Sequence, residues 1–528
     1  MYRRLSVLVA VIAICISETA AQEMDLSSLQ TRAEISGYTE TTRYEEVMSF
    51  LDAIVLASEQ IQFTTFGYTT EGRELPLLVF GDVWDASPEE VGRTGKTRVF
   101  IQANIHAGEV CGKEALLMLV RDLADGEHAE WADSLVILIA PIYNADGNER
   151  VSLYNRPRQH GPIGGMGQRP NAQGFDLNRD HMKLDAPEAR SLVQLMRDYD
   201  PHVMVDLHTT NGTVHGYHLT YSPPLNPNTS APIVQYLRQN WLPSVTSSVK
   251  EKYSWDFYYY GNLPFRGSER ERGWYTFDHR PRFNNNYIGL RNRFAILSEA
   301  YSYATFEDRI LASLYFVEEI LDFAHANAQE IRDIVDDVDL TSVVGSTMAV
   351  RSEHMRSPNK ADILIGSAEE ERNPYTGQIM LRRTDQRTVE KMYEYGTFEA
   401  TETEVAPKTY FVPSGMTDVA ERLDAHGVWF EPLEESRTMN LQRFRIDSTR
   451  VAERPFQGRN ERTLFGTYEP KTETLPAGTL VVPVDQSLGR LVFYLLEPRS
   501  DDGLVNWAII DKSLNEATHY PILREPAN

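Results

Sequence analysis

The sequence predicts an α/β protein with a largely parallel or mixed sheet, followed by a β-rich C-terminal module. Three observations predict it. Short, nearly continuous apolar runs recur along the first two thirds of the chain, as expected for strands covered on both faces. Segments with helical apolar spacing lie between them. Beyond residue 340 the texture changes to short β-type runs bounded by turn residues.

The first helix is expected over Tyr44–Gln60, where Val47, Phe50, Leu51, Ile54 and Val55 share one face. Strand-like runs follow at Leu75–Phe80, Arg98–Ala103, Leu135–Ile139, Val203–Leu207 and Phe294–Leu297. Lys113–Ala124 and Pro187–Tyr199 read as helices between them, and Phe306–Val335 as a long amphipathic helix or helix pair. Tyr143–Asn178 is rich in Gly, Pro, Asn and Arg and reads as a long loop. His215–Arg293, with the aromatic run Trp255–Tyr260, reads as a second, and long loops in α/β proteins are usually functional. In the C-terminal module, Tyr410–Glu431 suggests strand, helix, strand, and Thr479–Val484, Leu491–Leu496 and Trp507–Ile510 suggest further strands.

The first 21 residues have the pattern of a signal peptide: Arg3 and Arg4, an apolar run from Leu5 to Ile16, then small residues ending at Ala21. That run is too short to span a bilayer comfortably, and no later stretch suits a transmembrane helix. Cys15 and Cys111 are the only cysteines, so cleavage leaves one and no internal disulfide. An exported enzyme without disulfides suits a bacterial periplasm or exterior. The net charge of −24 excludes nucleic acid as a partner, because phosphate binding needs a basic face.

The chemistry concentrates in His106-Ala107-Gly108-Glu109, just after the strand Arg98–Ala103. A His and a Glu three residues apart at a strand-to-helix turn can reach one ion. His208 ends the strand Val203–Leu207 and can join them. Strand ends of an open α/β sheet converge on a crevice. Two imidazoles, one carboxylate and an open position for water form the ligand set of one catalytic Zn²⁺. Such a metal needs a general base for the attacking water, and Glu299 ends a third apolar strand facing the same crevice. The developing oxyanion calls for a fixed cation, which Arg156 or Arg158 can supply. Asn178 and Arg179 can clamp a carboxylate, a task suited to the planar fork of arginine.

Six landmarks in order now resemble the zinc carboxypeptidases, the metallocarboxypeptidase A/B-like peptidases, over residues 43 to about 325. They are Gly67-Tyr68-Thr69-Thr70-Glu71-Gly72-Arg73, His106-Ala107-Gly108-Glu109, Pro141 to Gly147, Asp176-Leu177-Asn178-Arg179, Leu207-His208 and Ser298-Glu299. The resemblance implies a mixed eight-stranded sheet with helices on both faces. It implies zinc on His106, Glu109 and His208, with Glu299 as general base and then acid. It further implies that Asn178 and Arg179 bind the terminal carboxylate, that Arg158 polarises the scissile carbonyl, and that Tyr275 or Tyr287 is the family's mobile tyrosine. The side-chain specificity position is expected near Asn284. Asp206-Leu207-His208-Thr209-Thr210 is instead similar to the related N-acyl-amino-acid deacylases.

The expected organisation is therefore a signal peptide at 1–21, an N-terminal extension at 22–42, a zinc peptidase domain at 43–335 and an α+β or β-rich module at 336–528. The expected activity is removal of a C-terminal residue from a peptide by a Glu-activated, zinc-bound water. The alternative is amide hydrolysis on an N-acyl amino acid or a peptidoglycan stem peptide. His215 and His218 form a second histidine pair, a second metal site or part of the cleft lining. Arg280, Arg282, Arg291 and Arg293 would favour an acidic substrate unless they pair with surface acids. Trp255–Tyr260 is a substrate platform or core for the insertion. Cys111 is expected to pack as a small buried residue.

Overall fold

The computed structural model describes residues 26–210 and 212–527. The expected signal peptide, with Cys15, lies outside the described residues. The nine strands that precede the C-terminal module are β1 (Ile61–Tyr68), β2 (Glu74–Phe80), β3 (Thr97–Ala103), β4 (Leu135–Ala140), β5 (Val203–Thr209), β6 (Leu219–Ser222), β7 (Phe257–Tyr259), β8 (Gly273–Tyr275) and β9 (Phe294–Ala300). All but β8 form one eight-stranded sheet in the order β1-β2-β4-β3-β5-β9-β6-β7. Its centre, β4-β3-β5-β9, is parallel. β1, β2 and β6 join by antiparallel pairing, so the sheet is mixed, as expected.

Alternation explains why the central strands read as unbroken apolar runs. Val99, Ile101 and Ala103 of β3, with Leu135, Ile137 and Ile139 of β4, pack into one core. Phe100, Val136, Leu138 and Ala140 face the other way into a second. The first core is covered by the helices Tyr44–Ala57, Cys111–Ala124, Leu242–Tyr253, Phe306–Ala326 and Ala328–Asp339. The second lies under Pro187–Asp198 and Asn284–Leu290. Burying both faces makes register costly to change, because a one-residue slip would exchange them.

The C-terminal part carries β10 (Thr347–Met355), β11 (Lys360–Arg372), β12 (Ile379–Tyr395), β13 (Thr397–Val405), β14 (Thr409–Val412), β15 (Glu431–Pro432), β16 (Arg437–Val451), β17 (Arg462–Leu475), β18 (Leu480–Pro483) and β19 (Leu523–Glu525). β16 and β17 form a long antiparallel ribbon within a six-stranded sheet. β12 pairs in parallel with β8 of the long insertion, which ties the two parts of the chain together. The second core is also continuous across them: Leu177, Tyr287 and Leu290 belong to the same cluster as Tyr410, Phe444, Phe493 and Trp507.

Three sequence expectations change. Leu491–Leu496, expected as strand, lies in the helix Gly489–Leu496, and Trp507–Ile510 is a turn. The helix is buried all round, so its apolar run has no period to separate helix from strand. The segment His215–Arg293 is not a plain loop. It holds β6, β7, β8 and a helical stretch from Ala231 to Tyr253, whose Ile233, Leu237, Trp241, Val245 and Val249 are buried.

Ile101 is fully enclosed at the centre of the sheet, whereas Val389 on β12 is 60% exposed. Ile101→Ala is expected to cost about 2–5 kcal/mol, and Val389→Ala to stay within about 0.5 kcal/mol. Denaturant unfolding of the two variants side by side checks this.

Candidate active site

β3 ends at Ala103, and the chain turns through Asn104 in the left-handed region at φ +68, which asparagine tolerates better than most residues. The turn continues through a hydrogen bond from the Glu109 amide to the His106 carbonyl at 2.8 Å, just before the helix Cys111–Ala124. His106 and Glu109 thus emerge on one side of a tight loop. Gly108 is required there: a Cβ would stand 2.8 Å from the Gly167 carbonyl oxygen and 2.9 Å from the Arg156 Nε. His208 comes from β5, two residues after Asp206 on the same face of the strand. Glu299 is the parallel-register neighbour of His208 on β9.

The three expected ligands converge. His106 Nδ1 lies 3.0 Å from Glu109 Oε1, His208 Nδ1 lies 2.9 Å from Glu109 Oε2, and the two Nδ1 atoms are 3.2 Å apart. Among the described residues they form the one His/Cys/Asp/Glu group able to hold a metal. The outer ring nitrogens settle their chemistry. His106 Nε2 donates to Asp176 Oδ1 at 3.0 Å, and His208 Nε2 donates to Asp206 Oδ2 at 2.8 Å. An ionised carboxylate only accepts, so each Nε2 carries a proton, and a ring that binds a metal as the neutral imidazole offers its lone pair inward at Nδ1. Facing Nδ1 atoms call for positive charge, a proton on His208 in the metal-free site or a metal ion shared by both rings. Tetrahedral zinc with Zn–N of about 2.0–2.1 Å holds two nitrogens about 3.3 Å apart. The donor set and its spacing therefore fit Zn²⁺.

The surroundings are tuned for positive charge. Burial opposes ionisation of Glu109, but Arg156 and His106 outweigh it and hold the carboxyl well below its ordinary value. Burial likewise opposes a charged His208, yet Asp206 and Glu109 lift its pKa well above the usual range. Asp206 is fixed by Gln102 at 3.1 Å and by Asn284 at 3.0 Å. Burial pushes Glu299 up to about 8, with Glu109 adding to the shift and His208 opposing it.

A cleft of about 360 Å³ opens on this group, lined by His106, Glu109, Arg169, Asn178, Arg179, His208, Tyr260 and Glu299, with Phe277, Phe283 and Leu297 as its apolar wall. Asn178 and Arg179 follow Asp176 in a short 3₁₀ turn, and the Arg179 guanidinium lies 3.7 Å over the Phe283 ring. Burial brings the Arg179 pKa down to about 10. Arg156 pairs with Glu109.

Other expected residues lie elsewhere. The Arg158 side chain is exposed outside the cleft, and its carbonyl accepts from the Leu381 amide. Tyr275 stacks on Tyr395 with ring centroids 4.1 Å apart. Tyr287 is buried in the second core, its hydroxyl 2.8 Å from His426 Nδ1. Asn284 turns inward to Asp206, and Asn285 takes the place on the cleft wall. His215, buried, packs against Tyr301 at 4.2 Å, and the half-buried His218 stacks on Trp255 at 4.7 Å; neither lines the cleft. Arg280 pairs with Asp278, Arg282 with Asp502, Arg293 with Asp200 and Asp339, and Arg291 donates to the His426 carbonyl. The Gly67–Arg73 motif is a structural tie. Its Thr69 hydroxyl and Arg73 guanidinium both donate to Asp146 at 2.7 Å.

Sequence reasoning missed the wall residues Phe277, Phe283 and Asn285, and with them Arg169 and Tyr260. Arg169 sits 2.9 Å from Asp176 Oδ2 and 3.7 Å from Glu109 Oε1. It belongs to the Arg-rich loop but to no motif. Tyr260 closes the aromatic run Trp255–Tyr260, and only that run signalled it.

Chelated protein is expected to take up one zinc per chain, measured by titration and elemental analysis. Asp206→Asn should weaken that uptake about 10–100-fold, because the amide cannot fix the His208 ring as the carboxylate does. The Glu299 shift gives a second expectation. A carboxyl raised in the fold is neutral in both states at low pH and costs stability once the unfolded form ionises. Glu299→Gln should therefore raise the melting temperature of the metal-free protein at pH 8 and change it little at pH 4. Equal effects at both would contradict the burial argument.

Residues 47–262 match the sequence profile of the zinc carboxypeptidases. Carboxypeptidase 2 of Trichophyton rubrum is 24% identical over 522 residues, covering 94% of this chain and 88% of its own. Among solved structures, a metallo-carboxypeptidase from Burkholderia cenocepacia is 18% identical at a TM-score of 0.39, covering 54% of this chain and 69% of its own. Carboxypeptidase A of Helicoverpa armigera is 15% identical at 0.39, covering 55% and 75%. Residues 47–262 are thus similar to the zinc carboxypeptidases, and the relatives that match most of the chain's length are carboxypeptidases.

Proposed function

We propose that the protein hydrolyses the C-terminal peptide bond of its substrates with one zinc ion, held by His106, Glu109 and His208. The observation that carries this reading is a shared cleft. The metal-fitting group, the carboxyl of Glu299 and the Asn178–Arg179 pair all line one cavity of about 360 Å³.

Each residue has a task there. Arg179, flat against Phe283, offers its planar fork to the terminal carboxylate, and Asn178 lies beside it. A site that grips a free carboxylate favours chain ends over internal bonds. Zn²⁺ in the trio would supply a Lewis acid for the scissile carbonyl and acidify the attacking water. Glu299 takes the proton of that water and passes it to the leaving amine nitrogen. Arg169, on the cleft wall beside Asp176, faces the charge that develops on the carbonyl oxygen, the role expected of Arg156 or Arg158. Arg156 is engaged with Glu109 and helps keep that ligand ionised. Tyr260 carries a neutral hydroxyl into the cleft, where burial raises its pKa, and so fills the place foreseen for Tyr275 or Tyr287. Export to a periplasm or exterior belongs to the same reading and rests on the N-terminal basic and apolar residues.

A digest of a mixed peptide library, read by mass spectrometry, tests the reading. Loss of single C-terminal residues is expected, and internal cuts would overturn it. Glu299→Gln should lower kcat by about 10²–10⁴-fold with zinc retained. Arg179→Met should raise KM by about tenfold or more, as loss of a hydrogen bond to a charged group costs about 1.5–3 kcal/mol.

A further inference from the structure

The hairpin tip between β16 and β17 reaches back from the C-terminal part onto the segment that carries Asp176, Asn178 and Arg179. Its turn is closed by a bridge between Phe456 and Arg459. The Gln457 Oε1 accepts the backbone N–H of Asp176 at 2.8 Å. Arg459 grips Asp185 with two donors, at 2.8 and 2.7 Å. Gly458 lies against Phe175, where an added Cβ would stand 3.3 Å from the ring. Gln457 itself adopts φ +49, a left-handed conformation that points to a residue held by its surroundings.

We propose that this hairpin tip is a positioning element for the active site, with Gln457 as its key residue. Asp176 is held from two sides. Its carboxylate receives His106 Nε2 and the Asn178 amide, at 3.0 and 2.9 Å. Its own amide is the N-cap donor of the 3₁₀ turn, with no acceptor inside that turn, and Gln457 supplies one. Fixing this amide fixes the carboxylate that aims His106, and it sets the turn that presents Asn178 and Arg179. A second clamp acts on the opposite wall. Asp502, fully enclosed, receives Arg282 Nε at 2.7 Å, and two residues on the Asn284 amide donates to Asn178 Oδ1 at 2.8 Å. The C-terminal part thereby holds both sides of the carboxylate-binding turn. The first clamp also gives the extended ribbon a role that its partly exposed strands do not otherwise suggest.

The metal side of this proposal rests on the zinc reading above, whereas the docking side does not, and the test separates them. Gln457→Met keeps the length and removes the acceptor; Gln457→Glu keeps an acceptor. Hydrogen-exchange mass spectrometry on metal-free protein reads the turn directly. Gln457→Met should speed exchange across residues 175–180 severalfold, leave β3 and β5 unchanged and leave the melting temperature within a degree or two. Zinc affinity, read by competition with a chelator, should fall about three- to tenfold, less than for a direct partner of a ligand. Gln457→Glu should restore both. Unchanged exchange in Gln457→Met would overturn the proposal, as would faster exchange with native zinc affinity. If the unsubstituted protein bound no zinc, the hydrolase reading would fall, and the exchange result alone would still decide whether Gln457 holds the turn.

Discussion

The site depends on one interaction made twice: an imidazole Nε2–H given to a buried carboxylate. Asp176 takes it from His106 and Asp206 from His208. Each bond orients a ring, holds a proton on Nε2 and turns Nδ1 inward. Without them the two rings could rotate, and nitrogens 3.2 Å apart would have no reason to face each other. With them, the neighbouring Glu109 carboxylate completes a small anionic cradle that only a cation satisfies.

The sheet makes this arrangement repeatable. Residues i and i+2 of a strand share a face, so β5 puts Asp206 directly behind His208. Parallel pairing sets Gln102 beside Asp206 and Glu299 beside His208. The same face carries Phe100, Met204 and Ala295 toward the strand beginnings, in the second core. One face therefore runs from packed apolar side chains to a polar cluster at the carboxyl ends of the strands, where the cleft opens. The apolar half holds the register that the polar half requires.

Much of this was legible in the sequence because the central strands are buried on both faces and read as apolar runs. His106, Glu109, His208 and Glu299 follow or end such runs, and the structure brings all four into one cleft. Asn178 and Arg179 were legible for a different reason, the Asp-Leu-Asn-Arg motif, and they too line it. Arg158, Tyr275 and Tyr287 were not separable from their neighbours by sequence. Which residue of a long loop faces inward is decided by tertiary contacts, such as the Arg169–Asp176 pair, and local spacing does not record them. The helix Gly489–Leu496 was hidden by its complete burial. The docking of Gln457 on Asp176 was hidden by distance along the chain, since a hydrogen bond between residues 281 positions apart leaves no local pattern.

The central claim is that two Nδ1 atoms and the Glu109 carboxylate share one zinc. Anomalous diffraction at the zinc edge, from crystals of the zinc-loaded protein, tests it most directly. The account predicts one peak per chain, within bonding distance of His106 Nδ1, His208 Nδ1 and Glu109, with each Nε2 still on its aspartate. A peak elsewhere, or rings flipped so that Nε2 meets the metal, would contradict it.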